Sequence, residues 1–258
     1  MILPWSIGPP YWRPAGNGGI LALMCGRYTL TRPVEELGLA FGFAERPNLA
    51  ARYNIAPTQD IPVVRMRAGG DHGGRELAMM RWGLVPFWAA DPAIGSRMIN
   101  ARAETVLEKA SFRNPMKDRR CLIPADGFYE WAKRPEGGKQ PFRIVMRDRA
   151  PFAFAGLWES WKGPKGAPLD RPLLSATIVT TAANAVMAPL HERMPVILGP
   201  DDHENWLDPA TPADEAAALL RPCPEDWLEA YPVATRVNSV RNDDEACIAP
   251  LVDQPKLL

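Results

Sequence analysis

The sequence predicts an α+β domain with a mainly antiparallel, barrel-like β core and short flanking helices, and three observations lead there. Short runs rich in β-branched and aromatic residues recur along the chain. Turn formers separate them throughout, with 28 Pro and 20 Gly among 258 residues. Helical patterns are brief and irregularly spaced, which excludes the steady strand–helix alternation of a doubly wound sheet, and no repeat of fixed period is present.

Taken in order, Thr31 as N-cap, Pro33 in the first turn and Glu35 and Glu36 behind it predict a helix running to about Phe41. Residues 61–67 and 76–82 read as strands joined by a loop of unusual glycine content, GGDHGG. A short helix is expected over 104–110, short strands over 121–123 and 127–131, and, after the turn RPEGGKQ, a strand over 141–146. Further on, 175–181 is β-branched and strand-like, 183–188 suggests a short helix, and 194–198 another strand. The acidic end supplies expected helices over 202–207 and 212–220 and a strand over 233–238.

Residues 25–240 therefore read as a single domain and 241–258 as a tail. Residues 1–24 differ from both: four Pro, four Gly, one charge at Arg13 and no apolar period mark them as a disordered or non-native extension. They lack the basic start, apolar core and small cleavage residues of a signal peptide, so translation is expected to begin at Met24. Four scattered cysteines, Cys25, Cys121, Cys223 and Cys247, with no CxxC pair, argue against a disulfide-stapled or zinc-ribbon domain. His72, His191 and His203 are far apart, so neither a metal nor another cofactor is expected. No stretch has the length of a membrane span. A monomeric, cytoplasmic protein is the expectation.

Zero formal charge taken alone counts against a polyanion partner, but the halves disagree. Residues 1–150 hold 22 basic against 14 acidic side chains and residues 151–258 hold 8 against 16, so a surplus of eight positive charges meets an equal negative one. The basic half has 18 Arg and 4 Lys, a bias that suits forked contacts to phosphate. A basic groove is expected there, with the acidic half facing elsewhere. Arg27, Arg81, Arg97, Arg102, Arg113, Arg119, Arg120 and Arg193 are the candidate arginines, and the segment after Gly83 offers Phe87 and Trp88 either to the core or to unpaired bases.

Four residues are candidates for chemistry. Cys25 is either a small buried hydrophobe or, if Met24 is removed, a first residue with two nucleophiles, a thiol and an α-amine whose reference pKa is about 7.7–8.0. A 1,2-aminothiol condenses with an aldehyde to an imine and closes to a thiazolidine. Glu130, between Tyr129 and Trp131, is either a solvated carboxylate or an acid–base group with a raised pKa; strand alternation puts it on the face of Phe128. His191 is a capping or packing histidine or a proton carrier. Spacing alone makes Asn100 no more than a turn residue.

Seven motifs occur in series: Met24-Cys-Gly-Arg-Tyr28, Arg52-Tyr-Asn-Ile-Ala-Pro-Thr-Gln59, Arg81-Trp-Gly-Leu-Val-Pro86, Ile99-Asn-Ala-Arg-Ala-Glu-Thr105, Arg120-Cys-Leu-Ile-Pro-Ala-Asp-Gly-Phe-Tyr-Glu-Trp131, Ala155-Gly-Leu-Trp-Glu159 and His191-Glu-Arg-Met-Pro-Val-Ile-Leu198. Together they resemble the SOS response-associated peptidase family of abasic-site processing proteins, from about Met24 to Asn238. The resemblance implies a covalent crosslink between Cys25 and the aldehyde of abasic sites in single-stranded DNA, during the DNA-damage response. It implies that Asn100 positions the sugar, that Glu130 assists proton transfer and orients the α-amine, and that His191 handles protons on the sugar hydroxyl. It also implies that Arg27, Arg102 and Arg193 hold phosphates and that Trp88 lies in a segment wedged against bases; Arg81 joins the DNA-binding candidates from its motif. A thiol autopeptidase using Cys25 and His191, a noncovalent single-strand-binding module, and an abasic-site lyase side activity are the competing expectations.

Overall fold

The computed structural model describes residues 26–67 and 74–251. Cys25, the segment 1–24, His72 and the end of the expected tail lie outside the described residues.

The described strands are β1 (Tyr28–Leu30), β2 (Arg52–Ile55), β3 (Asp60–Met66), β4 (Arg75–Trp82), β5 (Asn100–Arg102), β6 (Arg120–Ala125) and β7 (Gly127–Lys133). They continue with β8 (Lys139–Met146), β9 (Phe152–Trp161), β10 (Leu173–Ala182), β11 (Arg193–Pro195), β12 (Ile197–Leu198) and β13 (Leu228–Pro232). Four short helices accompany them: α1 (Val34–Phe41), α2 (Arg113–Asp118), α3 (His203–Leu207) and α4 (Ala213–Ala218). One sheet runs β13-β8-β7-β1-β2. The other closes on itself: β10 pairs with β4, β4 with β3, β3 with β6, β6 with β9, and β9 again with β10. Closure removes the exposed edges an open sheet would leave, and β5, β11 and β12 are added at its margins. The expected α+β class, mainly antiparallel and barrel-like, is what the chain forms; among the described strands β10 pairs in parallel with β4 and β5, and an isolated parallel bridge joins Phe43 to Arg75.

The two sheets meet through aromatic side chains. Tyr28 packs edge-on against Trp82 and Phe154, with ring centroids 5.4 and 5.8 Å apart, and Phe128 packs against Phe152 and Phe154. Burying a side chain such as Phe contributes about 1.5–3 kcal/mol, and an edge-on pair adds about 0.5–1.5 kcal/mol. This contact fixes β1 and β7 over the closed ring.

Local expectations fared unevenly. The hairpin is present, with Ile61 opposite Met80 and Met66 opposite Arg75. The helix reaching Phe41 forms and ends at Gly42, whose φ of 75° closes it, but Thr31 does not cap it. Its N–H and hydroxyl both go to Asp126, at 2.7 and 2.5 Å. Residues 104–110 form a 3-10 turn, Ala103–Thr105, and further turns, not a helix. The segment expected as a helix over 183–188 leaves 183 and 184 irregular and forms turns from 185 on, because Asn184 uses its side chain to accept the Met187 N–H and to donate to the Cys223 carbonyl. The expected strand over 194–198 is divided into β11 and β12. The strand expected over 233–238 lies earlier, at β13, while Thr235–Asn238 coils into a 3-10 turn whose Val237 carbonyl accepts from Asn54.

Residues 241–251 remain packed on the preceding strands. Asp243 accepts the Tyr53 and Asn54 N–H groups at 2.5 and 2.9 Å and pairs with Arg52 at 2.5 Å.

Candidate functional site

The C-terminal half of β10 is the first place where candidate residues gather. Once β10 passes β4 it takes β5 on one side, with Ile178 opposite Asn100 and Thr180 opposite Arg102. On the other side it takes β11, with Ala182 opposite Arg193. β5 and β11, some ninety residues apart in the chain, thus bring Asn100, Arg102 and Arg193 to one end of β10. The Ile99 carbonyl, next to Asn100, accepts the Trp82 indole N–H at 2.9 Å, so the aromatic that holds Tyr28 also fixes the start of β5.

His191 stands just before β11, half-buried, with Nδ1 accepting the Arg193 N–H at 3.0 Å. Burial holds its pKa below the ordinary histidine value, against the opposing pull of Glu192. A neutral ring whose Nδ1 accepts carries its proton on Nε2, so His191 offers an N–H donor.

Glu130 is buried in β7, opposite Phe142 of β8. Alternation is as expected: Phe128 enters the core, while the Tyr129 hydroxyl donates to the Tyr53 carbonyl and the Trp131 indole to Asn238 on the other face. β1 runs antiparallel beside β7, Tyr28 opposite Phe128, and the Arg27 carbonyl accepts the Tyr129 N–H at 3.0 Å. The strand that continues Cys25-Gly26 is therefore the one paired with the strand of Glu130.

The candidate arginines have different fates. Arg102 is exposed and Arg81 half-buried. Arg193 forks onto Glu104, both bonds 2.9 Å, and donates to the Thr180 carbonyl at 2.7 Å. The same guanidinium holds the Glu104 carboxyl below its usual range. Arg27 donates to Asn54 and to the Val237 carbonyl, both at 2.9 Å, and burial lowers its pKa from the ordinary value. The acidic half does not simply face elsewhere, since Asp243 pairs with Arg52, Glu159 with Arg119 and Glu229 with Arg149.

Phe87 and Trp88 are exposed, 55% and 49%, on a loop tied down on both sides. Gly83 and Val85 donate to the Ala176 carbonyl and the Ser175 hydroxyl, each at 2.8 Å, and the Trp161 indole donates to Ala89 at 2.8 Å. Gly83, at φ 122°, approaches so closely that a Cβ there would sit 2.5 Å from the Gly95 carbonyl oxygen.

Thr180 is a residue that sequence reasoning passed over. Its buried hydroxyl lies between the Ala101 carbonyl at 3.3 Å and Arg193 at 3.4 Å, yet in the sequence it is one threonine in a β-branched strand. A cavity of about 350 Å³ opens elsewhere, lined by Met146, Phe152, Leu198 and Trp227, and none of the candidate residues lines it. Among the described residues no cluster of three or more His, Cys, Asp or Glu is arranged to hold a metal ion, and no helix is long and apolar enough to cross a membrane.

A closed β ring with a second sheet docked across it, and polar groups gathered at one strand end, defines the class of fold; the comparisons give the family. Residues 24–240 match the model of the SOS response associated peptidase (SRAP) family, and the chain belongs to that family. It is 42% identical over 229 residues to the abasic site processing protein YoqW of Bacillus subtilis, covering 87% of this chain and 99% of that one. It is 35% identical over 268 residues to the abasic site processing protein HMCES of Gallus gallus, covering 88% and 78%. Among solved structures it resembles a protein from Bacteroides thetaiotaomicron with a TM-score of 0.77 and 25% identity, over 88% of this chain and all of that one. A phage-related protein of Bordetella bronchiseptica matches with a TM-score of 0.63 and 34% identity, over 81% and 94%.

Proposed function

We propose that this protein processes abasic sites in DNA, and that it does so by covalent capture of the abasic aldehyde in single strands through Cys25. The coarser statement follows from kinship with relatives named abasic site processing proteins. The finer one is supported by a single observation: the strand that continues directly from Cys25-Gly26 is paired with the strand carrying buried Glu130. Cys25 itself lies outside the described residues, one peptide bond before Gly26.

In this reading the α-amine of Cys25 attacks C1′ of the open-chain sugar, and the carbinolamine loses water to give an imine. The thiol sulfur then adds to the imine carbon while its proton passes to nitrogen, closing a thiazolidine; water is the only product released. Glu130 carries protons for these steps from a desolvated position. His191, neutral and presenting Nε2–H, hydrogen-bonds a sugar oxygen and favours the open aldehyde. Asn100 orients the sugar. Arg81, Arg102 and Arg193 face the phosphates, and Trp88 with Phe87 stacks on neighbouring bases. Arg27, also a phosphate candidate, has part of its guanidinium engaged by Asn54 and Val237. A base already missing lowers the cost of bringing the nucleotide into such a site.

The chemistry requires a free amine on Cys25. Protein beginning at Cys25 is expected to form a heat-stable adduct with an abasic single-stranded oligonucleotide, and Cys25→Ala, or a chain retaining residues 1–24, to form none. The rate should rise with pH as the α-amine loses its proton near its reference value of about 8. Because His191 is already neutral at that pH, His191→Gln should lower the rate without moving the midpoint. Absence of an adduct from protein beginning at Cys25 overturns the reading, while strand cleavage in its place indicates β-elimination from the imine.

A further inference from the structure

Asp126 and Gly127 sit in the same run as Glu130 but take no part in the chemistry described above. We propose that Asp126 is a positioning residue: its carboxylate locks β1 in register against β7 and thereby sets which part of the N-terminal strand meets Glu130. This rests on the reading in which Cys25 and Glu130 act together.

The backbone alone specifies that register weakly. β1 and β7 share two residue pairs, Tyr28 with Phe128 and Thr29 with Gly127, and the pairing of β1 with β2 is irregular between Tyr28 and Leu30. A one-residue slip would turn every side chain of β1 to the opposite face. Asp126 opposes such a slip from several directions. Its N–H donates to the Thr29 carbonyl at 3.0 Å. Its carboxylate accepts the Thr29 hydroxyl at 2.5 Å, the Thr31 N–H at 2.7 Å and the Thr31 hydroxyl at 2.5 Å.

Arg143 of β8 completes the arrangement, with one guanidinium nitrogen 3.3 Å from the Asp126 carboxylate and 3.0 Å from the Thr29 hydroxyl. The other donates to the Tyr231 hydroxyl of β13 at 2.8 Å. Both partners are nearly inaccessible, the side chains 3% and 9% exposed. Gly127 makes room for this: a Cβ there would lie 2.7 Å from Nε of Arg143 and 2.9 Å from the Thr29 hydroxyl. A buried ion pair often stabilises no better than apolar residues of the same volume, so cohesion alone does not call for charge at this corner. What the pair adds is direction, because the carboxylate is matched to β1 donors in one register.

The test uses protein beginning at Cys25, as wild type, Asp126→Asn, Thr31→Ala, Glu130→Gln and the Asp126→Asn/Glu130→Gln double variant. Crosslinking to an abasic single strand should slow on the order of 10- to 100-fold in Asp126→Asn, as a misplacement of about 1 Å does, with binding to an undamaged strand unchanged. In the double variant the two losses should be less than additive, since Asp126 acts through what Glu130 meets. Amide exchange at Tyr129, whose N–H bonds the Arg27 carbonyl, should quicken by about tenfold or more relative to Ile144 in the neighbouring strand. If Asp126→Asn fails to fold, Thr31→Ala carries the same tests with a smaller expected loss. Additive losses, or Tyr129 exchange that stays in step with Ile144, overturn the proposal. A wild type that forms no adduct overturns the crosslinking reading instead, and the exchange experiment then decides by itself whether Asp126 sets the register.

Discussion

The end of β10 and the corner where β1 meets β7 hold their polar groups in opposite ways. At the end of β10, main-chain ladders fix the strands while several side chains stay accessible: Arg102 is exposed, Asn100 and His191 are half-buried, and the Glu104 carboxylate is exposed although Arg193 and Thr180 are largely covered. At the β1–β7 corner the ladder is two residue pairs long and buried side chains take over, with Thr29, Asn54, Asp126 and Glu130 all inaccessible. In the proposed reading the first region meets the DNA, while the buried groups of the second hold β1 against β7. Arg27, which by sequence belongs with the phosphate-binding arginines, has its described bonds in the second region, to Asn54 and to the turn at Val237.

The largest expected effect comes from breaking the strand-holding side. Asn54 is fully buried, and its amide donates to the carbonyls of Val237, Ser239 and Asn242 while its oxygen accepts from Arg27. Asn54→Ala strands those groups, and each unsatisfied buried partner costs about 1–3 kcal/mol. With partial relief by water, a loss of about 2–4 kcal/mol in urea unfolding is expected. A loss under about 0.5 kcal/mol, typical of an unconstrained surface site, would show that the segment beyond residue 237 is not held by this residue.

For the proposed DNA contact, Trp88→Ala should leave the melting temperature unchanged, since the ring is 49% exposed, and weaken binding to single strands. Stacking of one base on an aromatic is worth about 1–3 kcal/mol, or about 5- to 150-fold in Kd by titration. Equal affinity for wild type and variant would remove this loop from the interface.

The same contrast explains what could be read before the structure. The hairpin of β3 and β4 was legible because apolar alternation and a glycine-rich turn are local signals. Thr31 reads locally as a helix cap, but its partner, Asp126, lies 95 residues away, and no local pattern reveals that claim on the hydroxyl. Ring closure through parallel pairing of β10 with β4 has no local signature either. For the candidate site, Asn100, Glu130 and His191 were found through motifs shared with a family, since spacing alone made them ordinary residues. Thr180 and Asp126 gave no signal, one being a threonine in a β-branched strand and the other an aspartate before a glycine, where a turn is the ordinary reading.

The smallest expected effect tests whether Arg193 belongs to the accessible region at all. Its guanidinium is forked onto Glu104, so a phosphate arriving at this end of β10 meets an arginine whose charge is already matched. Glu104 is half exposed, and a pair of this kind contributes only about 0.2–1 kcal/mol. Glu104→Gln removes the competing charge but keeps a side chain able to accept from Arg193. Affinity for single strands should therefore rise, by a factor of about five at most, and the gain should shrink as salt screens it. Weaker binding in Glu104→Gln would mean that the carboxylate aims Arg193 at the phosphate and does not compete with it. The end of β10 would then share the strategy of the β1–β7 corner, a side chain held in place by a partner.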